Sequence, residues 1–335
     1  MPRSMIFGLA GHVVTPTEAA FFREADPWGF IVFTRNIENP EQVRRLTSDL
    51  RDTVGRNAPI LIDQEGGRVA RMGPPHWRRW EPVLSLFDGA DEATALEAAR
   101  LRYRIIADEL RHVGIDVNCA PLLDVPVPSG HDIIGARALG NAAEDVARRG
   151  RAICEALLSG GVLPVIKHIP GHGRAMVDSH HELPRVDTPL ADLRRTDFAA
   201  FAAVSDQALG MTAHVVFEAV DPDACATLSP TVIAMIRDEI GFDGLLMTDD
   251  LSMKALQGDM AGRVTGSLSA GCDMILHCNG EMAEMEAIAA AVPELSGRAV
   301  ARADAALAAR LAPADIDIKD AERRYEDLTG ERVHG

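Results

Sequence analysis

The 335-residue chain has no surplus of basic residues. Its 34 lysines and arginines are outnumbered by 50 aspartates and glutamates, which gives a formal net charge of −16. Nucleic acids and anionic membrane surfaces are bound through basic patches. The charge balance therefore argues against both as partners and favours a protein whose pocket is neutral or only locally basic.

The chain also lacks a long apolar segment near its N-terminus. Residues 1–8 (MPRSMIFG) carry a positive charge at Arg3, but no sustained apolar run follows it. Neither a secretory signal nor a membrane span is therefore expected. The five cysteines are an odd number and are scattered mostly through apolar stretches, which does not suit a disulfide framework. We therefore expect buried reduced thiols and a cytoplasmic protein.

Histidines, by contrast, are concentrated in one short segment. Residues 167–173 (KHIPGHG) and 178–181 (DSHH) bring four histidines, one lysine and one aspartate into fifteen residues. Proline and glycine predict an irregular loop here, after an apolar run that is typical of a buried strand. Asp178 and His180 are close enough for the carboxylate to accept from one ring nitrogen and leave the other for a substrate. We interpret the segment as an active-site loop that transfers protons.

A zinc site is the alternative interpretation of this segment, because histidine is a common zinc ligand. However, no cysteine falls within it, and the His-Glu-x-x-His motif of zinc hydrolases is absent. The glycine pair at residues 66–67 also lacks the flanking pattern of a nucleotide fingerprint. The sequence therefore predicts neither a metal nor a cofactor.

Short apolar runs alternate with helical patterns along the chain. Eight runs are predicted as strands, at residues 5–9, 30–33, 60–62, 116–120, 162–166, 209–213, 244–248 and 273–276. This alternation is typical of parallel strands with crossover helices, and eight of them predict a single-domain (β/α)₈ TIM barrel. We expect one domain over residues 1–335, with its core at about 5–290 and C-terminal helices and a charged tail at about 291–335.

In such a barrel the functional residues lie after the C-terminal ends of the strands. Polar residues lie at or after the ends of five of the predicted strands: Asp63 and Arg71, Asn118 and Asp124, Lys167 and His168, His214, and Asp249 and Asp250. Arg71, Arg137 and Lys167 offer cationic donors for hydroxyl or acyl oxygens. Asp63 suits a pair of sugar hydroxyls, so the convergence predicts a carbohydrate site.

Six short segments carry a pattern that extends over about residues 5–290. They are residues 62–69 (IDQEGGRV), 118–121 (NCAP), 167–173 (KHIPGHG), 178–180 (DSH), 211–214 (MTAH) and 248–253 (TDDLSM). Together and in this order they resemble glycoside hydrolase family 3, and more narrowly its bacterial β-N-acetylglucosaminidases.

The resemblance implies a retaining hydrolase that removes a terminal, non-reducing β-linked N-acetylglucosamine through a covalent glycosyl-enzyme. It implies that Asp249 is the nucleophile and that His180 is the acid/base with Asp178 as its partner, in place of a second carboxylate. It further implies sugar contacts from these residues: Asp63, Arg71, Arg137, Lys167, His168 and His214.

The family also suggests a biological substrate. Its single-domain cytoplasmic members cleave N-acetylglucosamine from 1,6-anhydro-N-acetylmuramic-acid peptides during peptidoglycan recycling. A muropeptide substrate is therefore expected here, together with a monomer or weak homo-oligomer.

Four alternatives stay open. The Asp249-Asp250 pair resembles the acidic pairs of hexosaminidases in which the acetamido oxygen of the substrate attacks. A histidine acid/base leaves less negative charge near the incoming nucleophile, so phosphate could replace water and make the protein a phosphorylase. The chain could also be another β-glycosidase of the family. A non-catalytic sugar-binding barrel is disfavoured, because Asp249, Asp178 and His180 are all present.

Overall fold

A closed barrel of eight parallel strands forms the centre of the molecule. The computed structural model describes residues 1–177 and 182–332. The barrel strands are β1 Arg3–Phe7, β2 Pro27–Val32, β3 Ile60–Ile62, β4 Val117–Asn118, β5 Leu163–Ile169, β6 Leu209–Thr212, β7 Leu245–Asp250 and β8 Met274–His277. Each strand pairs with its neighbours in the sequence, and β8 closes the barrel against β1. The predicted (β/α)₈ barrel is confirmed.

Each of the eight predicted runs overlaps a barrel strand, and two strands extend at least two residues beyond their predicted C-terminal ends. β5 continues through Lys167 and His168, and β7 continues to Asp250. Ladder pairing persists to these ends, where Ile169 lies opposite Thr212. The polar residues predicted to follow these strands therefore belong to the strand ends, which fixes their backbone positions.

Helices surround the barrel. The α-helices of the described residues are α1 Pro16–Ala25, α2 Pro40–Val54, α3 Glu92–His112, α4 Ala143–Ser159, α5 Leu190–Arg195, α6 Asp197–Ala202, α7 Pro230–Asp238, α8 Met260–Ala270, α9 Met282–Ala291, α10 Gly297–Ala308 and α11 Ile318–Thr329. Short 3₁₀ helices span Thr34–Asn36, Val83–Phe87, Gly135–Arg137 and Ala226–Leu228.

Local sequence signals explain the ends of several helices. At the start of α2, the Asn39 side chain accepts from the backbone N–H of Gln42, and Pro40 occupies the first turn. The helix ends at Gly55, whose φ of 65° lies in the left-handed region that glycine adopts without penalty. Such caps end the helices sharply and leave short connections to the next strand.

Successive side chains of a barrel strand point alternately inward and outward, so the core has an inner and an outer layer. Leu245 and Met247 point into the barrel, whereas Leu246 between them packs against the surrounding helices. Ala303 and Ala306 of α10 join the inner layer, so this helix closes the N-terminal end of the barrel. The opposite end stays open for polar residues.

Two further expectations concern the thiols and the membrane. All five cysteines are free, and all but the half-buried Cys278 are buried. Within the described part of the chain, no helix is long and apolar enough to cross a membrane.

Candidate active site

The C-terminal ends of the strands surround a cavity of about 280 Å³. Its polar wall consists of Asp63, Glu65, Arg71, Arg137, Lys167, His168, His172, Asp249 and Asp250. Its apolar wall consists of Ile31, Phe33, Val69, Ile133, Ile134, Met211, Met253, Leu276 and Cys278. Barrel enzymes carry their catalytic residues at this end.

Two carboxylates in this wall share one ammonium group. Lys167 Nζ lies 2.8 Å from Asp63 Oδ1 and 2.8 Å from Glu65 Oε1. Arg71 donates to Asp63 Oδ2 at 3.0 Å, and Arg137 donates to Glu65 through Nε and Nη2, each at 2.8 Å. Three cations against two carboxylates leave the cluster with a net positive charge.

The cluster stays charged despite its burial. Burial would raise the pKa of the Asp63 and Glu65 carboxyls, but the Lys167 ammonium and the adjacent arginines outweigh it and hold both below their usual range. Burial would lower the pKa of Lys167, but the same carboxylates outweigh it and raise that pKa. These groups are therefore permanent charges that suit the binding of hydroxyl groups rather than proton transfer.

His168 is oriented by the buried carboxylate of Asp124. Asp124 Oδ2 lies 2.8 Å from His168 Nδ1, and its Oδ1 accepts from the backbone N–H groups of His168 and His172 at 3.2 and 2.6 Å. Burial would raise the pKa of Asp124, but His168 outweighs it and lowers that pKa. The contact at Nδ1 leaves Nε2 as the His168 nitrogen available to a ligand.

Lys167 and His168 both reach the cavity from adjacent positions. Along a regular strand, adjacent side chains point to opposite faces. Both residues lie within β5, and the peptide bond between them is cis. The regular alternation of the strand is interrupted at that bond, and both side chains line the cavity.

Asp249 contributes an ionised carboxylate near the end of β7. Its Oδ1 accepts from the backbone N–H of Asp250 at 2.8 Å. Burial would raise the pKa of Asp249, but His214, His168 and this N–H outweigh it and hold the pKa below its usual value. A carboxylate that is ionised, buried and open to a cavity has the properties of a nucleophile or of a group that stabilises positive charge.

Asp250, the second aspartate of the pair, has a structural role. Asp250 Oδ2 accepts from the Ser252 hydroxyl at 2.6 Å, and its Oδ1 accepts from the backbone N–H groups of Ser252 and Cys278 at 3.0 and 3.2 Å. These bonds connect the end of β7 to the end of β8 and use both carboxylate oxygens.

His214 lies beside the cavity rather than in its wall. Its side chain is fully buried, and it is not among the described residues that line the cavity. Nδ1 lies 2.8 Å from Thr227 Oγ1, and Nε2 lies 3.1 Å from the backbone oxygen of Asp250. His214 thus contacts the backbone that carries Asp249, and its predicted contact with sugar stays a prediction.

The structure brings six of the nine predicted site residues to one cavity: Asp63, Arg71, Arg137, Lys167, His168 and Asp249. Asp178 and His180 lie outside the described residues, so their roles stay predictions. Within residues 1–177 and 182–332, no group of three or more His, Cys, Asp or Glu side chains is arranged to hold a metal ion.

Sequence reasoning gave no individual role to Glu65, Asp124 or His172, although His172 lies in the predicted active-site loop. Glu65 stands two residues after Asp63 in the same polar segment, and this spacing was a usable signal. Asp124 was placed at the rim, but its contact with His168 joins residues 44 positions apart and depends on barrel closure. The apolar wall comes from separate strands and loops of the chain and has no local signal.

Comparison with known proteins identifies the family. Residues 19–311 match the Glycosyl hydrolase family 3 N terminal domain. The chain belongs to this family. The chain is 35% identical over 294 residues to a β-hexosaminidase of Pseudomonas aeruginosa PAO1. The aligned residues cover 87% of this chain and 86% of that protein. A β-hexosaminidase of Bordetella avium is 34% identical over 284 residues, covering 83% and 81%.

Solved structures of family 3 members share the fold. NagZ from Neisseria gonorrhoeae, in complex with N-trifluoroacetyl-D-glucosamine, superposes with a TM-score of 0.82 at 29% identity and covers 98% of this chain and 99% of that one. A family 3 β-N-acetylglucosaminidase from Paenibacillus superposes with a TM-score of 0.84 at 31% identity, covering 97% of this chain and 66% of that one. The chain is a glycoside hydrolase of the β-N-acetylhexosaminidase class.

Proposed function

We propose that this family 3 hydrolase is a retaining exo-β-N-acetylglucosaminidase in which Asp249 is the nucleophile. The observation that carries the proposal is the ionised Asp249 carboxylate in the wall of the same cavity as the Asp63–Lys167 ion pair. The cavity thus combines a group able to attack an anomeric carbon with groups able to fix a sugar ring.

In the proposed first step, Asp249 attacks the anomeric carbon as the bond to the leaving oxygen breaks. His180, with Asp178 as its partner, gives its proton to that oxygen, and a glycosyl-aspartate ester forms. In the second step His180 removes a proton from water, which attacks the same carbon and releases Asp249. Histidine suits both steps because its ordinary pKa of about 6.5 allows it to give and take a proton near neutrality.

The charged cluster has unused hydrogen-bonding capacity for the sugar. An ammonium group has three N–H donors, so the contacts of Lys167 with two carboxylates leave at least one donor. The Arg71 guanidinium contacts Asp63 through Nη2 and lies over the Phe33 ring, 5.1 Å from its centroid, which fixes its plane. We assign the sugar hydroxyls to Asp63, Arg71, Lys167 and His168.

Arg137 has fewer free donors than Arg71. It uses three of its donor atoms on Glu65 and on the Ile133 carbonyl, so it has less left to offer a sugar.

The size and the apolar wall of the cavity support an exo-acting enzyme for N-acetylglucosamine. A volume of about 280 Å³ is at the small end of ligand pockets and suits one sugar ring rather than several. The apolar wall, including Met211 and Met253, provides a surface for the methyl group of an acetamido substituent.

The proposed natural substrates are muropeptides in which N-acetylglucosamine is linked to 1,6-anhydro-N-acetylmuramic acid. The N-acetylglucosamine part of this substrate is supported by similarity to bacterial β-hexosaminidases and to NagZ from Neisseria gonorrhoeae, which was solved in complex with N-trifluoroacetyl-D-glucosamine. The anhydro-muropeptide part rests on the family resemblance of the sequence. We further propose that the enzyme works in the cytoplasm during peptidoglycan recycling, as a monomer or weak homo-oligomer, without a cofactor.

The test is a comparison of aryl β-N-acetylglucosaminide, β-N-acetylgalactosaminide and β-glucoside hydrolysis, with and without inorganic phosphate. We expect selective cleavage of the N-acetylglucosaminide at a rate independent of phosphate, and release of N-acetylglucosamine from a purified anhydro-muropeptide. A faster rate in phosphate with formation of a sugar 1-phosphate would replace hydrolysis by phosphorolysis. Preferred cleavage of the glucoside would overturn the assigned specificity.

A second test isolates the acid. His180→Ala should largely spare the first step for aryl substrates whose leaving group needs no proton, and should impair alkyl or muropeptide substrates strongly. Equal loss on both kinds of substrate would contradict the assignment of His180 as the acid.

A further inference from the structure

Glu65 contacts two cations of the cavity wall although no role is yet assigned to it. Its side chain is 5% exposed. Oε1 lies 2.8 Å from both Lys167 Nζ and Arg137 Nη2, and Oε2 accepts from Arg137 Nε at 2.8 Å. Both oxygens are therefore occupied by cations that reach Glu65 from β5 and from the 3₁₀ turn at Gly135–Arg137.

Helix α3 holds the backbone of Glu65 from the side opposite the cavity. The buried Tyr103 hydroxyl donates to the Glu65 carbonyl oxygen at 2.8 Å. Arg102, the residue before it, packs so closely against Gly66 that a Cβ there would lie 2.0 Å from Arg102 Nη2. Gly67 N–H then donates to the Trp80 carbonyl at 3.1 Å. The segment after Asp63 is thus held on its outer side by groups that do not reach the cavity.

Glu65 also determines where the Lys167 ammonium lies. Lys167 is held between two carboxylates, and its side chain is 3% exposed. Without the charge of Glu65, the ammonium would be drawn toward Asp63 alone and would occupy the lone pairs that Asp63 offers to sugar hydroxyls. Arg137 would lose its paired contact at the same time.

We propose that Glu65 is a positioning residue that holds the Lys167 ammonium in place for sugar binding, and that Tyr103 holds Glu65 in place. The proposal rests on the sugar-binding role proposed above for Lys167. It predicts that changes at Glu65 or Tyr103 act mainly on the affinity for the sugar. The effect passes through Lys167 and not through direct contact of either side chain with the sugar.

The first experiment measures the inhibition constant of N-acetylglucosamine, together with KM and kcat on an aryl N-acetylglucosaminide. Glu65→Gln should weaken inhibition and raise KM by about tenfold or more, because hydrogen bonds to charged groups are lost. The matched control is Glu109→Gln, which also removes a buried carboxylate paired with an arginine, Arg78 at 2.6 Å, away from the cavity. The control should lose stability while keeping the wild-type inhibition constant.

A double-mutant cycle with Lys167→Met tests whether Glu65 acts through Lys167. The loss of affinity caused by Glu65→Gln should shrink in the Lys167→Met background. If Lys167→Met leaves the inhibition constant unchanged, the proposed sugar site is wrong. If Lys167→Met weakens inhibition but Glu65→Gln does not, or if the two losses add fully, the positioning role is wrong and the proposed function survives.

The two tyrosines of the chain give a second test that avoids the charge change. Tyr103→Phe removes the hydroxyl that contacts Glu65 and should raise KM about fivefold with a smaller change in kcat. Tyr325→Phe removes an equally buried ring hydroxyl that bonds to Glu331 and Arg102 rather than to Glu65, and it should leave KM unchanged. Equal KM values for the two variants would overturn the role of Tyr103.

Discussion

The two ends of the barrel carry the same kinds of charged residues in different states of hydrogen bonding. At the N-terminal end, Asp116 Oδ1 accepts from the Ile60 N–H at 2.8 Å. Its Oδ2 accepts from Arg51 at 3.2 Å and from Arg310 at 2.8 Å. This carboxylate has no open side, and it links α2, β3 and the segment after α10.

A second carboxylate at the same end follows this pattern. Asp273 Oδ2 accepts from Arg237 at 2.6 Å and from the Leu246 N–H at 2.9 Å, and its Oδ1 accepts from Arg302 at 3.0 Å. Asp273 thereby joins α7, β7 and α10 across the bottom of the barrel. Both N-terminal carboxylates fix helices to strands.

At the C-terminal end, the ion pairs border a cavity instead. Lys167 keeps a donor and Asp63 keeps lone pairs on a surface that a ligand can reach. The comparison shows that residue type does not separate a functional cluster from a structural one. The difference lies in whether the hydrogen-bonding capacity is used up within the protein or left facing a cavity.

The largest expected effect is at the nucleophile. Asp249→Ala should lower turnover on the order of 10⁴-fold or more, because no ester can form. The matched change at the other end, Asp273→Asn, should leave turnover per folded molecule near wild type. Steady-state rates on an aryl N-acetylglucosaminide check both, and similar losses in the two variants would remove the distinction between the ends.

The next effect is on sugar binding. Asp63→Ala should lower kcat/KM by about 100-fold through both KM and kcat, because sugar contacts tighten toward the oxocarbenium-like transition state. Asp116→Asn is its counterpart and should change kcat/KM little. If Asp63→Ala reduced only the melting temperature, Asp63 would belong with the structural carboxylates.

Stability should respond in the opposite order. Asp273→Asn leaves Arg237 and Arg302 without their shared carboxylate and should cost about 3 kcal/mol of unfolding free energy. Urea unfolding of the folded variant measures this directly. A change below about 0.5 kcal/mol would show that the N-terminal network contributes little.

A smaller effect concerns acid stability. The pKa values of Asp63, Glu65 and Asp124 are lowered in the folded state, so below about pH 4 the unfolded chain takes up protons that the folded protein does not. Their stabilising contribution is therefore present above about pH 4 and is lost as the pH falls further. Urea unfolding across this range should show a shallower acid decline for Glu65→Gln than for wild type, and identical declines would contradict the depressed pKa.

The smallest expected effect is that of metal removal. Because neither proposed step uses a metal, extensive dialysis against a chelator should leave kcat and KM unchanged. Loss of activity that added zinc or magnesium restores would show that the proposed mechanism is incomplete.

Much of the fold and part of the site were predictable from local pattern. All eight strands followed from apolar runs of the right length, and Asp63, Lys167 and Asp249 followed from polar residues at the ends of those runs. These signals are local, because strand direction alone decides which end of the barrel a residue reaches.

The pairings within the site were not predictable in the same way. Glu65 and Arg137 are 72 residues apart in the sequence, and their contact depends on how a loop returns to the barrel mouth. His214 follows β6 as other predicted site residues follow their strands, yet the fold directs its ring to Thr227 and the backbone of Asp250. Which donors are consumed inside the protein is a property of three-dimensional packing.

The most direct test of the account is to trap the covalent intermediate with a 5-fluoro N-acetylglucosaminyl donor and to map the labelled peptide by mass spectrometry. The account predicts a single sugar adduct on Asp249 that turns over slowly and that is absent from Asp249→Ala. Turnover of an aryl N-acetylglucosaminide without any adduct would favour attack by the acetamido oxygen of the substrate, and an adduct on another residue would contradict the assignment of the nucleophile.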